Sequence, residues 1–176
     1  GTYRELIESV SRHPMMGVYL TSLRNRKADP RTGRVPDENY AREVMQLFSI
    51  GLLQLNDDGS VRQGNGGALE TYTPADIAGL AKVFTGFSWE CPDWPDSGCF
   101  NNGVKSGGTA DPDRTFKPMR GYPAFHATEE KVFLGEATKY HASVSPGHTF
   151  VCKTLTTASA SSCGAGDDVV LEVEAE

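Results

Sequence analysis

The chain has 176 residues, 38% of them hydrophobic and 23% charged, which is enough for one domain with its own core and excludes a disordered chain. Lys and Arg number 17 against 23 Asp and Glu, a net charge of −6, and this balance argues against a general nucleic-acid binder. No apolar run approaches the ~20 residues of a membrane-crossing helix, and the 19 glycines predict long irregular loops.

Thr2-Tyr3-Arg4-Glu5 reads as a capping box. Tyr3, Leu6, Ile7 and Val10 then recur at i, i+3, i+4 and i+7, so a helix is expected over 3–12. His13-Pro14 breaks it, and Pro14 can open a second helix over 14–23, with His13 as its cap. Arg24 to Arg34 (RNRKADPRTGR) reads as a loop with Arg24, Arg26, Lys27, Arg31 and Arg34 as its basic residues. It is either an anion-binding patch or a solvated connection.

A third helix is expected over 37–50, with Pro36 at its start, acids in its first turn and Gly51 after its end. Its apolar stripe is Tyr40, Ala41, Val44, Leu47 and Phe48. Leu52 to Gln63 forms a hairpin pattern around Asn56-Asp57-Asp58-Gly59, and Gly64 to Glu70 reads as a flexible link. A calcium loop there lacks its closing Glu, because Asn65 stands in its place. Thr73-Pro74-Ala75-Asp76 starts a fourth helix over 74–85, ended by Gly86. Ser88 to Phe125 shows no period, but it holds Trp89, Trp94, Phe100, Cys91 and Cys99. Glu129 to Leu134 fits a short helix or a strand, and the rest is Ser/Thr-rich and irregular.

The fold expected is mainly α: an irregular helical domain with a small β-hairpin and long disulfide-tied loops. It forms one domain over 1–176, cut from a longer protein. Residues 1–87 make the helical core, 88–127 a cysteine-stapled loop, and 128–176 an irregular C-terminal part.

Four cysteines allow three pairings. The local one, Cys91–Cys99 with Cys152–Cys163, needs the least chain folding, and each pair closes a loop without regular structure. Gaps of this length do not suit zinc, which takes its ligands at short spacing, so no metal is expected. Disulfides imply the periplasm, the cell surface or the medium.

On the third helix Asn39, Glu43 and Gln46 share a strip beside the apolar stripe, whereas Glu38 and Arg42 pair further round on the surface. Glu43 is then at least half buried and needs a donor. It either ties helices together or, with a raised pKa, acts as an acid or base. The histidines are His13, His126, His141 and His148. No zinc-hydrolase, serine-hydrolase, phosphate-loop or dinucleotide motif occurs, so no cofactor is implied.

The run His13-Pro14, then Glu38-Asn39-Tyr40-Ala41-Arg42-Glu43 through Leu47-Phe48-Ser49-Ile50-Gly51, resembles the bacterial domain of unknown function 1800 family. Tyr72-Thr73-Pro74-Ala75-Asp76 with Phe84-Thr85-Gly86 is similar to its second block. His126 with Lys131-Val132-Phe133-Leu134-Gly135 is similar to its third. Family members carry an acid after that histidine, where this chain has Ala127. The resemblance implies a largely helical, exported protein, longer than this chain, and it supplies no activity to carry over.

Two functions follow as expectations. One is an exported module that binds a protein or polysaccharide partner, or assembles at the cell surface, using Trp89, Trp94 and Phe100 as contact anchors. The alternative is an exported hydrolase-like enzyme using Glu43 with Asn39 and either His13 or His126.

Overall fold

The computed structural model describes residues 1–129, 131 and 134, and the backbone of 132, 141, 142, 151, 152, 169 and 170. Four of its five helices start close to where the sequence places them, and all are short. They are α1 (Tyr3–Arg12), α2 (Pro14–Tyr19), α3 (Asn39–Gln46), α4 (Pro74–Val83) and α5 (Ser97–Asn102). Two starts are capping boxes: the side chains of Thr2 and Thr73 accept from the amides of Glu5 and Asp76, whose carboxylates accept from the cap amides in return.

Helix α3 is shorter than its pattern at both ends. At the start, Asp37 stays outside the helix and its carboxylate accepts from the Asn39 amide at 2.9 Å. At the far end the Ser49 hydroxyl takes the Val44 carbonyl at 2.7 Å, and the amides of Ile50 and Gly51 both turn back onto the Met45 carbonyl. Gly51 accepts the left-handed backbone that this turn needs, at φ 74°. The early stop changes the buried face. Met45 lies in the core, whereas Leu47, expected there, is 65% exposed.

The expected 52–63 hairpin is present as a bridge between Leu55 and Val61, but it is two limbs of a three-limbed meander. Residues 67–70 form the third limb, so 64–70 is a turn and a paired strand instead of a flexible link. Strands β1 (Gln63–Gly64) and β2 (Gly67–Ala68) pair antiparallel around Asn65-Gly66, and Gln54 donates to the Leu69 carbonyl at 2.8 Å. Asn-Gly is a strong two-residue hairpin signal. Strands β3 (Phe87–Ser88) and β4 (Arg120–Gly121) make a second pair. Further two-residue pairs join β5 (Lys131–Val132) to β6 (His141–Ala142), and β7 (Val151–Cys152) to β8 (Val169–Val170). The described residues therefore form five helices with small antiparallel ladders.

Two cores result. In the first, Ala41 and Met45 of α3 pack on Ile77, Leu80 and Ala81 of α4. Tyr40 meets Phe84 edge-on at 4.7 Å, and its hydroxyl donates to Ser11 of α1 at 2.7 Å. The second core is the 88–127 region, which its composition left without a period. Cys91 and Cys99 form a disulfide there, packed with Trp94, Phe100 and Tyr122. The polar ends of its rings are satisfied: Trp94 Nε1 donates to the Gly121 carbonyl at 2.8 Å, and the Tyr122 hydroxyl to the Trp89 carbonyl at 2.7 Å. The other expected disulfide, Cys152–Cys163, lies outside the described residues.

Candidate functional site

Between the two cores the chain builds a buried polar junction. Its centre is the turn after α4, where Gly86 adopts a left-handed φ of 81°. A Cβ on Gly86 would lie 2.8–2.9 Å from His126 Cβ, Cα and N, so only glycine lets these two backbones approach. Thr85 and His126 exploit that approach. His126 Nδ1 lies 2.7 Å from the Thr85 carbonyl, and the Thr85 hydroxyl accepts from the Ala127 amide at 2.8 Å while donating to the Lys82 carbonyl at 2.6 Å. A carbonyl can only accept, so Nδ1 carries the proton and the imidazole is held as one tautomer.

Lys131 completes the junction from β5. It is 1% exposed, and its Nζ donates to the Ala127 carbonyl at 2.7 Å and the Glu129 carbonyl at 3.3 Å. Beside it Lys82 pairs with Glu129 at 3.6 Å. Burial drives the electrostatics. Desolvation lowers the His126 pKa to about 4, against a smaller opposing pull from the Thr85 carbonyl, so the ring is neutral at pH 7. Desolvation likewise lowers Lys131 to about 8, with Glu129 opposing it. The chemistry available here is a fixed neutral imidazole and an ammonium bound to carbonyls, which is the material of a rigid joint.

A second joint organises the entry to α3. The buried Asn25 accepts from the Asp37 amide at 2.8 Å and donates to the Asp37 carbonyl at 3.0 Å, as a neighbouring strand would. Its own carbonyl takes the Gly86 amide at 2.8 Å, which ties this joint to the first.

The residues expected to carry chemistry are dispersed. His13 is exposed and serves as the cap of α2, its Nδ1 accepting from the Met15 amide at 3.2 Å. Asn39 is exposed, with its side chain donating to the Leu20 carbonyl at 3.3 Å. Glu43 is only part-buried. The donor expected for it is missing, because among the described residues its carboxylate makes no hydrogen bond or ion pair. Glu38 and Arg42 do pair, at 3.3 Å. No side-chain hydrogen bond joins Asn39, Glu43, His13 and His126 to one another among the described residues. Of the aromatic anchors, Phe100 is fully buried and Trp94 nearly so, which leaves Trp89 as the one with a partly open face. Arg114 lies over that ring at 5.6 Å.

Residues 1–160 match the family described as protein of unknown function (DUF1800). The chain belongs to this family. No curated protein and no solved structure matches it. The family's blocks now acquire a physical meaning: Tyr40 and Ala41 fill the first core, Thr73 and Asp76 cap α4, and Thr85-Gly86, His126 and Lys131 meet at the junction. Thr85, Lys131 and Asn25 carry the two joints, and sequence reasoning did not single them out for chemistry. The available signal was that Thr85-Gly86 and His126 fall in family blocks separated by a segment without periodicity.

Proposed function

We propose that the chain is a helical, exported module that binds a partner or assembles at the cell surface, in the periplasm, on the surface or in the medium. The observation that carries the reading is an apolar face on two successive helices. Tyr3 and Leu6 of α1 are 60% and 57% exposed, and Met15, Val18 and Tyr19 of α2 are 41%, 54% and 78% exposed. Each set falls at helical spacing, so each helix presents its apolar side chains on one face. Concentrated apolar surface of this kind marks interaction sites. The compartment is supported by the buried Cys91–Cys99 disulfide, since such bonds persist in oxidising surroundings. No helix among the described residues is long and apolar enough to cross a membrane.

The test places a photo-crosslinking side chain at Tyr19 or Leu6 of the protein expressed in its own host, with Asp57 as the control position. One discrete adduct at both apolar positions, lost on Val18→Asp with helicity retained, is the expected result. Alkylation before reduction should find Cys91 and Cys99 blocked in the envelope or medium. Uniform labelling at all three positions, or free thiols on a protein that fractionates with the cytoplasm, would overturn the reading.

A further inference from the structure

The basic loop from Arg24 to Arg34 is folded, and its base gathers positive charge that no acid pairs with among the described residues. Its tip is a local turn in which the Arg31 amide donates to Asp29 and the Arg31 guanidinium pairs with the same carboxylate at 3.5 Å. Its base is anchored by the Arg24 amide on the Phe87 carbonyl and the Lys27 amide on the Phe125 carbonyl, both at 2.9 Å. There two guanidiniums converge on one residue. Arg24 Nη1 donates to the Asn101 carbonyl at 3.0 Å, and Arg26 Nη2 donates to the Asn101 side-chain oxygen. Arg26 is fixed further by lying 5.1 Å from the ring centres of both Phe100 and Phe125. Arg34 Nε donates to the Lys27 carbonyl at 3.1 Å, which brings a third guanidinium to the same base.

None of Arg24, Arg26, Lys27 and Arg34 forms an ion pair among the described residues, although the whole chain is net acidic. Each guanidinium has five N–H donors, and each of the two at Asn101 spends one there. Arg24 also holds a left-handed backbone, φ 64°, a conformation that residues with a Cβ rarely adopt. Capping the C-terminal end of α5 explains one donor from Arg24. It leaves unexplained why a second guanidinium, from Arg26, meets the same residue.

We propose that Arg24 and Arg26, which meet at Asn101, form a binding site for a phosphate monoester. Like charges held together are relieved by an anion between them, and a phosphate monoester carries about −1.5 to −2 at neutral pH. That matches two guanidiniums better than a single carboxylate does, and guanidiniums bind phosphate oxygens in pairs. This site is separate from the apolar face of α1 and α2, and it stands whether or not that face binds a partner.

The test is titration calorimetry on the whole chain with inorganic phosphate and with a hexose 6-phosphate, at constant ionic strength set with chloride. Saturable one-to-one binding of either is expected, with tighter binding of the sugar phosphate showing that the carrier is read as well. Arg24→Gln should weaken it about tenfold or more, as loss of one charge-assisted contact does. Arg31→Gln at the loop tip should change it less than about twofold, being already paired. Arg24→Gly keeps the experiment interpretable: glycine suits φ 64°, so the fold should persist while phosphate binding is lost. No saturable heat with either ligand, or equal weakening by Arg24→Gln and Arg31→Gln, would overturn the site and leave these arginines as caps of α5.

Discussion

Replacing Gly86 with alanine tests whether the junction depends on backbone approach. Two costs add. A Cβ at φ 81° costs about 1–2 kcal/mol in left-handed backbone alone. The same atom would stand 2.8–2.9 Å from His126 Cβ, Cα and N, contacts that no rotamer change of the neighbour relieves, because two of the three atoms are backbone. Forcing such a site apart costs about 1–3 kcal/mol more. Gly59 separates the two effects, since its φ is 82° and an added Cβ would meet nothing within 4 Å. Gly59→Ala should therefore lose about 1–2 kcal/mol and Gly86→Ala about 2–5, read as shifts in the urea midpoint at unchanged slope. NMR titration supplies a second readout, because displacing His126 lets water reach it and should move its pKa from about 4 back toward 6.5. If the two alanine variants lose equal stability within about 0.5 kcal/mol, Gly86 is only a turn residue and the junction is drawn too tightly.

Three further outcomes are expected. His126 is held neutral with its pKa depressed to about 4, so its contribution is fully present above pH 6.5 and is lost as pH falls toward 4. Up to about 3 kcal/mol is at stake over that window, and His126→Gln should flatten this part of the pH–stability curve relative to the parent. Replacing Cys91 and Cys99 together by alanine reopens a loop of sequence separation 8 and should cost about 2.5 kcal/mol by the loop-entropy relation, with added loss because both sulfurs are buried; an unchanged melting temperature after reduction and alkylation would contradict this. Glu43→Ala should stay within about 0.5 kcal/mol, like Glu38→Ala, because the part-buried Glu43 carboxylate holds no partner among the described residues; a loss of 2 kcal/mol or more would show that a donor reaches it.

What the sequence disclosed was what is decided within one turn of chain. Helix starts were legible at Thr2 and Thr73 because a capping box needs only four residues. Helix ends were not: α3 stops where Ser49 bends back to Val44, and no propensity at Leu47 announces that. Periodicity located the apolar face of α1 and said nothing of whether anything covers it, so the exposure of Tyr3 and Leu6 is a finding of the structure alone. The helix α5 has only six residues, SGCFNN, too short to show a period, and it is held by the disulfide and the Phe100 contacts. Lys131 runs against composition outright. A lone lysine predicts a surface, and this one is buried because two carbonyls from its own turn receive it.

The same contrast bears on where function lies. Each family block places some residues in the interior: Tyr40, Ala41, Asp76, Thr85 and His126 are each 7% exposed or less. Their bonds run to backbone and to one another across the chain, as Thr85 to Ala127 and Tyr40 to Ser11 do. Substitution there would be felt as lost stability. Groups able to meet a partner without breaking the scaffold must instead have spare donors or open apolar area. On the described surface those include the guanidiniums at the base of the 24–34 loop and the faces of α1 and α2. Each can be altered by one side chain, Arg24 or Val18, with no core contact removed. That separation is what allows a change in binding to be measured on a molecule that is still folded.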